Sequence, residues 1–132
     1  MQRSTVRILV VDDHVLFRHF VVELLGIRPK LQVVGEASDG LEALQKAVEL
    51  RPDLILLDIS IPSLNGIEVA RQMRSLVPES KIIFLTQESS SDVVQEALSL
   101  GAWGYVTKNM VLADLFAAVE TVLAGMTFVS NP

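Results

Sequence analysis

Five side chains draw attention because each follows a short apolar run. Asp12 and Asp13 close VRILVV, Asp58 closes LILL within PDLILLDIS, Thr86 closes KIIFL, and Lys108 follows WGYVT. An unpaired charge among apolar residues is costly, so Asp58 needs a partner. Three carboxylates brought together repel one another and disfavour ionisation. A bound divalent cation removes the conflict. Oxygen donors favour a hard ion, Mg²⁺ first and Mn²⁺ second, which keeps several waters and shares phosphate oxygens. Such an ion neutralises charge on an incoming phosphoryl group and leaves Asp58 as a candidate nucleophile. Lys108 would then pair with one phosphoryl oxygen, and the Thr86 hydroxyl would donate to another.

Each residue alone has a simpler explanation. A lone strand-end aspartate is usually a turn or cap residue, and Asp12-Asp13 would cap a following helix. Thr86 is a good strand residue, and a lone lysine is most often a solvated charge. Their coincidence at four strand ends favours a site. His14 and His19 are five residues apart, off the spacing of adjacent helical turns, and read as surface histidines rather than a metal pair.

The elements that must position these groups alternate. Strands are predicted at Val6–Val11, Leu31–Ala37, Asp53–Asp58, Lys81–Thr86 and Trp103–Thr107. Helices are predicted at His14–Leu25, Leu41–Leu50 with Asp39 as cap, Ile67–Leu76, from the Ser89–Ser91 run with Asp92 to Gly101, and at Val111–Ala124. Uniformly apolar strands separated by helices imply a parallel sheet covered on both faces. The reading is one three-layer α/β domain, (βα)₅, over residues 1–132. In such open sheets ligands bind beyond the carboxyl ends of the strands. Those ends carry Asp12, Asp13, Asp58, Thr86 and Lys108.

Bulk composition is consistent with this. The 132 residues are half hydrophobic and one fifth charged, enough for a core and too apolar for disorder. There is no cysteine, which excludes disulfides and thiolate metal sites and suits a reducing cytoplasm. A net charge of −5 argues against nucleic-acid binding by this domain alone. No apolar run reaches membrane-spanning length, and MQRST leads straight into the first strand rather than a signal peptide.

In these residues the chain resembles the receiver domain of bacterial two-component response regulators. The motifs are ILVVDDH (Ile8–His14), ASDGLEAL (Ala37–Leu44), DLILLDISIPSLNG (Asp53–Gly66), IIFLT (Ile82–Thr86) and GAWGYVTK (Gly101–Lys108). The resemblance spans essentially the whole chain and is specific in combination. It implies a flavodoxin-like, doubly wound, five-stranded sheet of order 2-1-3-4-5. It implies Asp58 as phosphoacceptor, and Mg²⁺ held by Asp13 directly, Asp12 largely through water, Asp58 and the Ser60 backbone carbonyl. Thr86 and Tyr105 match the family's switch pair, with Tyr105 expected to move inward on phosphorylation. Lys108 matches the phosphate-binding lysine. The donor would be a sensor histidine kinase. The protein would not be an enzyme beyond its own phosphotransfer and autodephosphorylation.

Asp-Asp-His and the helix after it look like the NarL/LuxR (FixJ-like) subfamily, whose members usually carry a C-terminal helix-turn-helix domain. A receiver from the N-terminal part of a longer transcription regulator is therefore expected, with a stand-alone receiver as the alternative. Departures from the common pattern are Asn109 where many receivers have proline, often with a cis bond, and Gln87, where small residues are common. Ser60 and Glu88 would flank the phosphoryl group. An aspartate-nucleophile phosphatase is less well matched, because it needs a second aspartate where Ser60 stands.

A last expectation concerns association. At one hundred degrees per residue, Leu112, Leu115, Phe116, Val119, Val122 and Leu123 form the predicted core stripe of the final helix. Its opposite face holds Ala113, Asp114, Ala117, Ala118, Glu120, Thr121 and Ala124, unusually small for a solvent face. Val15 and Val22 fall on the polar side of the first helix. A two-fold dimer through these two helices is one explanation; good helix propensity of alanine is the other.

Overall fold

The computed structural model describes residues 5–87 and 90–130. Six strands form one sheet: β1 (Val6–Val11), β2 (Leu31–Ala37), β3 (Leu54–Leu57), β4 (Lys81–Thr86), β5 (Gly104–Thr107) and β6 (Phe128–Val129). Their order is β2-β1-β3-β4-β5-β6 and every pairing is parallel. The expected flavodoxin-like order β2-β1-β3-β4-β5 is present, and β6, a two-residue strand, adds a sixth at the β5 edge. It is anchored by Ser130, whose N–H donates to the Tyr105 carbonyl at 2.8 Å and whose hydroxyl donates to Asp114 Oδ2 at 2.8 Å.

The helices are α1 (Val15–Leu25), α2 (Gly40–Leu50), α3 (Gly66–Leu76), α4 (Ser91–Ser99) and α5 (Val111–Leu123). Local chemistry sets several of their ends. The Asp39 and Asn65 side chains accept from the N–H groups of Glu42 and Glu68 at 2.9 and 3.0 Å, capping α2 and α3. Ser90 caps α4 through Val93 N–H. The expected start of that helix at Ser89 lies outside the described residues, as does Glu88. Gly101, at φ +90°, lies just beyond the end of α4 in a conformation that costs other residues. Asp53 and Asp58 lie just outside β3 rather than in it, because only Leu54–Leu57 pair with both neighbours.

Side-chain alternation along the strands builds two cores. Ile8, Val10, Leu54, Leu56, Ile83, Leu85 and Val106 face α1 and α5, through Val21, Leu25, Leu115 and Val119. Leu9, Val11, Ile55, Leu57 and Phe84 face the side of α2, α3 and α4. Burying each of the four β3 side chains contributes roughly 1.5–3 kcal/mol, so the strand that leads into Asp58 is a rigid support.

The expected stripe of α5 is corrected. Val111, Leu115, Ala118, Val119 and Val122 are buried, whereas Leu112 is 72 % and Leu123 41 % exposed. The face set by steps of four and three residues from Val111 points to the sheet. Leu112 lies a hundred degrees round from it, and Ala118 belongs to the core rather than to the outer face. Phe116 sits half-buried at the margin, with the Arg28 guanidinium 4.2 Å over its ring. Val22 of α1 is likewise half-buried against the core, while Val15 is exposed. Among the described residues no helix is long and apolar enough to cross a membrane.

Candidate functional site

Parallel pairing brings the carboxyl ends of β1, β3, β4 and β5 to one edge. Val11 is level with Leu57, Leu57 with Phe84, and Thr86 with Thr107. The next residues of three of these strands therefore share one space. Asp12 follows β1, Asp58 follows β3, and Lys108 follows β5 in a single 3₁₀ turn, Lys108–Met110. Backbone bonds continue the sheet by one step: Asp58 N–H donates to the Val11 carbonyl at 3.1 Å and Asp12 N–H to the Ala37 carbonyl at 3.0 Å.

The Lys108 ammonium lies 2.9 Å from Asp12 Oδ2 and 3.1 Å from Asp58 Oδ2, and the three side chains are 8 %, 4 % and 3 % exposed. Burial pushes the lysine pKa down, but hydrogen bonds to Asp12 and Asp58 and the charge of both carboxylates outweigh it and hold the pKa above its ordinary value. The stem of Lys108 places the ammonium 4.6 Å over the Phe17 ring, which shields one side. The other Asp58 oxygen accepts from Ser60 N–H at 3.3 Å.

Asp13 projects beside this group. Its Oδ1 is buried and has no hydrogen-bond partner among the described residues. One donor atom from each of Asp12, Asp13, His14 and Asp58 lies within 4.8 Å of the others. A buried carboxylate oxygen without a partner, in a ring of oxygen donors, fits a hard cation in character. Asp12, Asp13 and Asp58 are the residues that would hold it. Ser60 stands in the loop after β3, where its carbonyl was expected to help.

Thr86 and Tyr105 are both 1 % exposed. Thr86 ends β4 at the same edge, and Tyr105 stands level with Phe84, the ring centroids 6.2 Å apart. Gln87 lines an open cleft with His14, Leu16, Phe17, Thr107, Lys108 and Asn109, beside the acidic group. Among the described residues there is no cis peptide bond, so Lys108–Asn109 is trans.

Two residues belong to the site although their spacing did not place them there. His14 was expected at the surface. Its ring is exposed, but Nδ1 lies 3.3 Å from Asp12 Oδ1 and 3.5 Å from Asp13 Oδ1. Direct adjacency to Asp12-Asp13 is the signal that testing it only against His19 overlooked. Arg18 donates from Nη1 to the Asp12 carbonyl at 2.7 Å and from Nε to Glu36 Oε1 at 2.8 Å, tying α1 to the turn that carries both aspartates. Its one-turn offset from His14 gave no hint of this.

Comparison with known proteins identifies the family. Residues 8–120 match the family described as response regulator receiver domain. The chain is 39 % identical over 126 residues to the DNA-binding transcriptional activator DevR/DosR of Mycobacterium tuberculosis, covering 96 % of this chain and 58 % of that protein. It is 38 % identical over 125 residues to the response regulator GacA of Pseudomonas viridiflava, covering 95 % and 58 %. The chain thus spans a little over half the length of these relatives. A crystal structure of a LuxR-family two-component response regulator from Aurantimonas sp. SI85-9A1 superposes with a TM-score of 0.90 at 38 % identity, over 95 % of this chain and 89 % of that one. The chain belongs to the response regulator receiver domain family, and its relatives are regulators of the LuxR/NarL type.

Proposed function

We propose that this chain accepts a phosphoryl group on Asp58 from a phosphohistidine of a sensor kinase. The observation that carries the proposal is the pairing of a buried Asp58 carboxylate with Lys108 at 3.1 Å, inside a ring completed by Asp12 and Asp13. The Asp58 carboxylate attacks phosphorus, the P–N bond breaks, and the histidine imidazole leaves with the electron pair. Water later attacks the aspartyl phosphate and releases inorganic phosphate. Lys108 holds one phosphoryl oxygen, and Thr86 donates its hydroxyl to another. Mg²⁺, held by Asp12, Asp13, Asp58 and the Ser60 carbonyl, supplies charge neutralisation when bound. No other substrate is turned over, so the chain acts as a switch rather than as an enzyme.

Thr86 and Tyr105 are the proposed switch pair. The Tyr105 ring already occupies the interior beside Phe84. Phosphorylation would therefore raise the share of molecules with the ring inside, rather than drive it into new space. The output we assign is control of transcription through a DNA-binding part beyond this domain, because relatives of which the chain matches about half include a DNA-binding transcriptional activator and a transcriptional regulatory protein. A kinase fed by ATP places the reaction in the cytoplasm. A two-fold association through α1 and α5 belongs to the same reading.

The test is incubation with acetyl phosphate and Mg²⁺, followed by intact and peptide mass spectrometry. A single phosphoryl adduct on Asp58 is expected, absent without the metal and absent in Asp58→Asn with its fold retained. Unchanged labelling of Asp58→Asn would rule the assignment out.

A further inference from the structure

We propose that Thr107 is a positioning residue for Thr86. Its hydroxyl bonds the Thr86 hydroxyl in the resting state, holds it away from Asp58, and loses its partner when Thr86 turns to the phosphoryl group. This rests on the phosphoacceptor reading of Asp58 given above. Thr107 is 7 % exposed, and its Oγ1 is buried with no hydrogen-bond partner among the described residues. Buried hydroxyls are nearly always bonded, and an orphan is costly to keep. In a two-state switch, such a group points to a partner made in the other state.

Strand register names that partner. Thr86 and Thr107 are level in the parallel pair of β4 and β5, so their side chains leave the sheet on the same face. Phe84 and Tyr105, two residues earlier on the two strands, share that face and pack in one core. On the outer side of β5, β6 ends level with Tyr105, and the Ser130 hydroxyl beyond it donates to Asp114. Among the described residues, Thr86 thus carries the hydroxyl in register with Thr107.

Strand β4 lies between β3 and β5. Thr86 therefore has Asp58, which follows β3, on one flank and Thr107 on the other. A turn of χ1 between staggered positions carries its hydroxyl across, and the hydroxyl stands on one flank at a time. In this structure the Thr107 hydroxyl is unbonded and the Tyr105 ring is inside, 1 % exposed. Both features belong to the switched arrangement. The orphaned hydroxyl is a cost carried by that state alone, and it favours the resting state until a phosphoryl group offsets it.

The experiment compares wild type, Thr107→Val, Thr107→Ser and Asp58→Asn. It reads the Thr86 χ1 population from three-bond couplings of the methyl carbon, and the affinity for beryllofluoride with Mg²⁺ present. Beryllofluoride should drive Thr86 of the wild type into one rotamer. Thr107→Val keeps the side-chain shape and removes the hydroxyl. It should favour that rotamer without the mimic and bind the mimic about two- to tenfold more tightly. Thr107→Ser, which keeps the hydroxyl, should follow the wild type. A valine variant with rotamer and affinity unmoved, or with weaker binding, overturns the role of Thr107 and leaves Asp58 standing as acceptor. A serine variant that follows valine reveals a packing effect and overturns it equally. A wild type that binds beryllofluoride no better than Asp58→Asn overturns the phosphoacceptor reading, and this inference with it.

Discussion

At the scale of single residues, Lys108 is the cation that pairs with Asp12 at 2.9 Å and Asp58 at 3.1 Å. It neutralises Asp12 and Asp58, which a cation would otherwise do. Removing one member of a buried ion cluster leaves the others uncompensated, so Lys108→Met without metal should lose up to about 3 kcal/mol of stability. The lysine pKa is raised above its ordinary 10.5 in the fold. Its contribution is therefore fully present below that value and is lost as pH rises through the raised one. The stability gap between wild type and Lys108→Met should be flat across neutral pH and close only in strong alkali. Mg²⁺ should raise the melting temperature of Lys108→Met more than that of the wild type, because no ammonium competes. An equal Mg²⁺ response in both proteins would show that Lys108 does not share these carboxylates with the ion. The placement of Asp12, Asp13, Asp58, Thr86 and Lys108 at one sheet edge was legible because each follows an apolar run and those runs pair in parallel. Arg18 was not, because its partners, the Asp12 carbonyl and Glu36, come together only through the crossover from α1 to β2.

Among the elements, the junction of β3 and α3 shows how tightly Asp58 is held. Gly66 opens α3 and donates its N–H to the Ile59 carbonyl at 2.7 Å. A methyl group there would stand 2.6 Å from Ile59 Cα and closer still to the Asp58 carbonyl oxygen. Both obstacles are backbone, so neither can rotate away. Gly66→Ala should cost about 1–3 kcal/mol and slow phosphorylation by displacing Asp58, without touching any proposed ligand side chain. Melting and labelling rate check this; an unaltered rate would mean the strand end tolerates movement. The five longer strands were legible from apolar runs bounded by turn residues. The sixth was not, since Phe128–Val129 is too short to show any period. It exists only because β5 presents a free edge after the turn at Gly125, where φ is +86°. The stripe of α5 was misplaced for another reason: apolar and small residues lie on every side of that helix, so periodicity could not say which row meets the sheet.

For the whole molecule, the question is what covers the α1 and α5 side. Both helices pack on one face of the sheet, and Arg28, just beyond α1, pairs with Glu120 of α5 at 3.1 Å. Outward they leave Val15, Leu16, Phe20 and Leu112 exposed, together with Ala113, Ala117 and Ala124. Four large apolar side chains beside small ones let a second copy approach closely, and two-fold dimers are the commonest assemblies. Alanine's helix propensity explains the small residues but not Leu16, which is 85 % exposed. Val22 is half-buried against the core, so a charge there would test folding rather than association. Leu16→Glu with Ala117→Glu places both charges on exposed positions and should leave the melting curve nearly unchanged. Sedimentation of wild type and double variant, each with and without beryllofluoride as a phosphoryl mimic, reads the outcome. The wild type should associate, more strongly with the mimic, and the variant should stay monomeric in both states. A wild type monomeric at high concentration with the mimic, or a dimer indifferent to both charges, would rule this face out as an association surface.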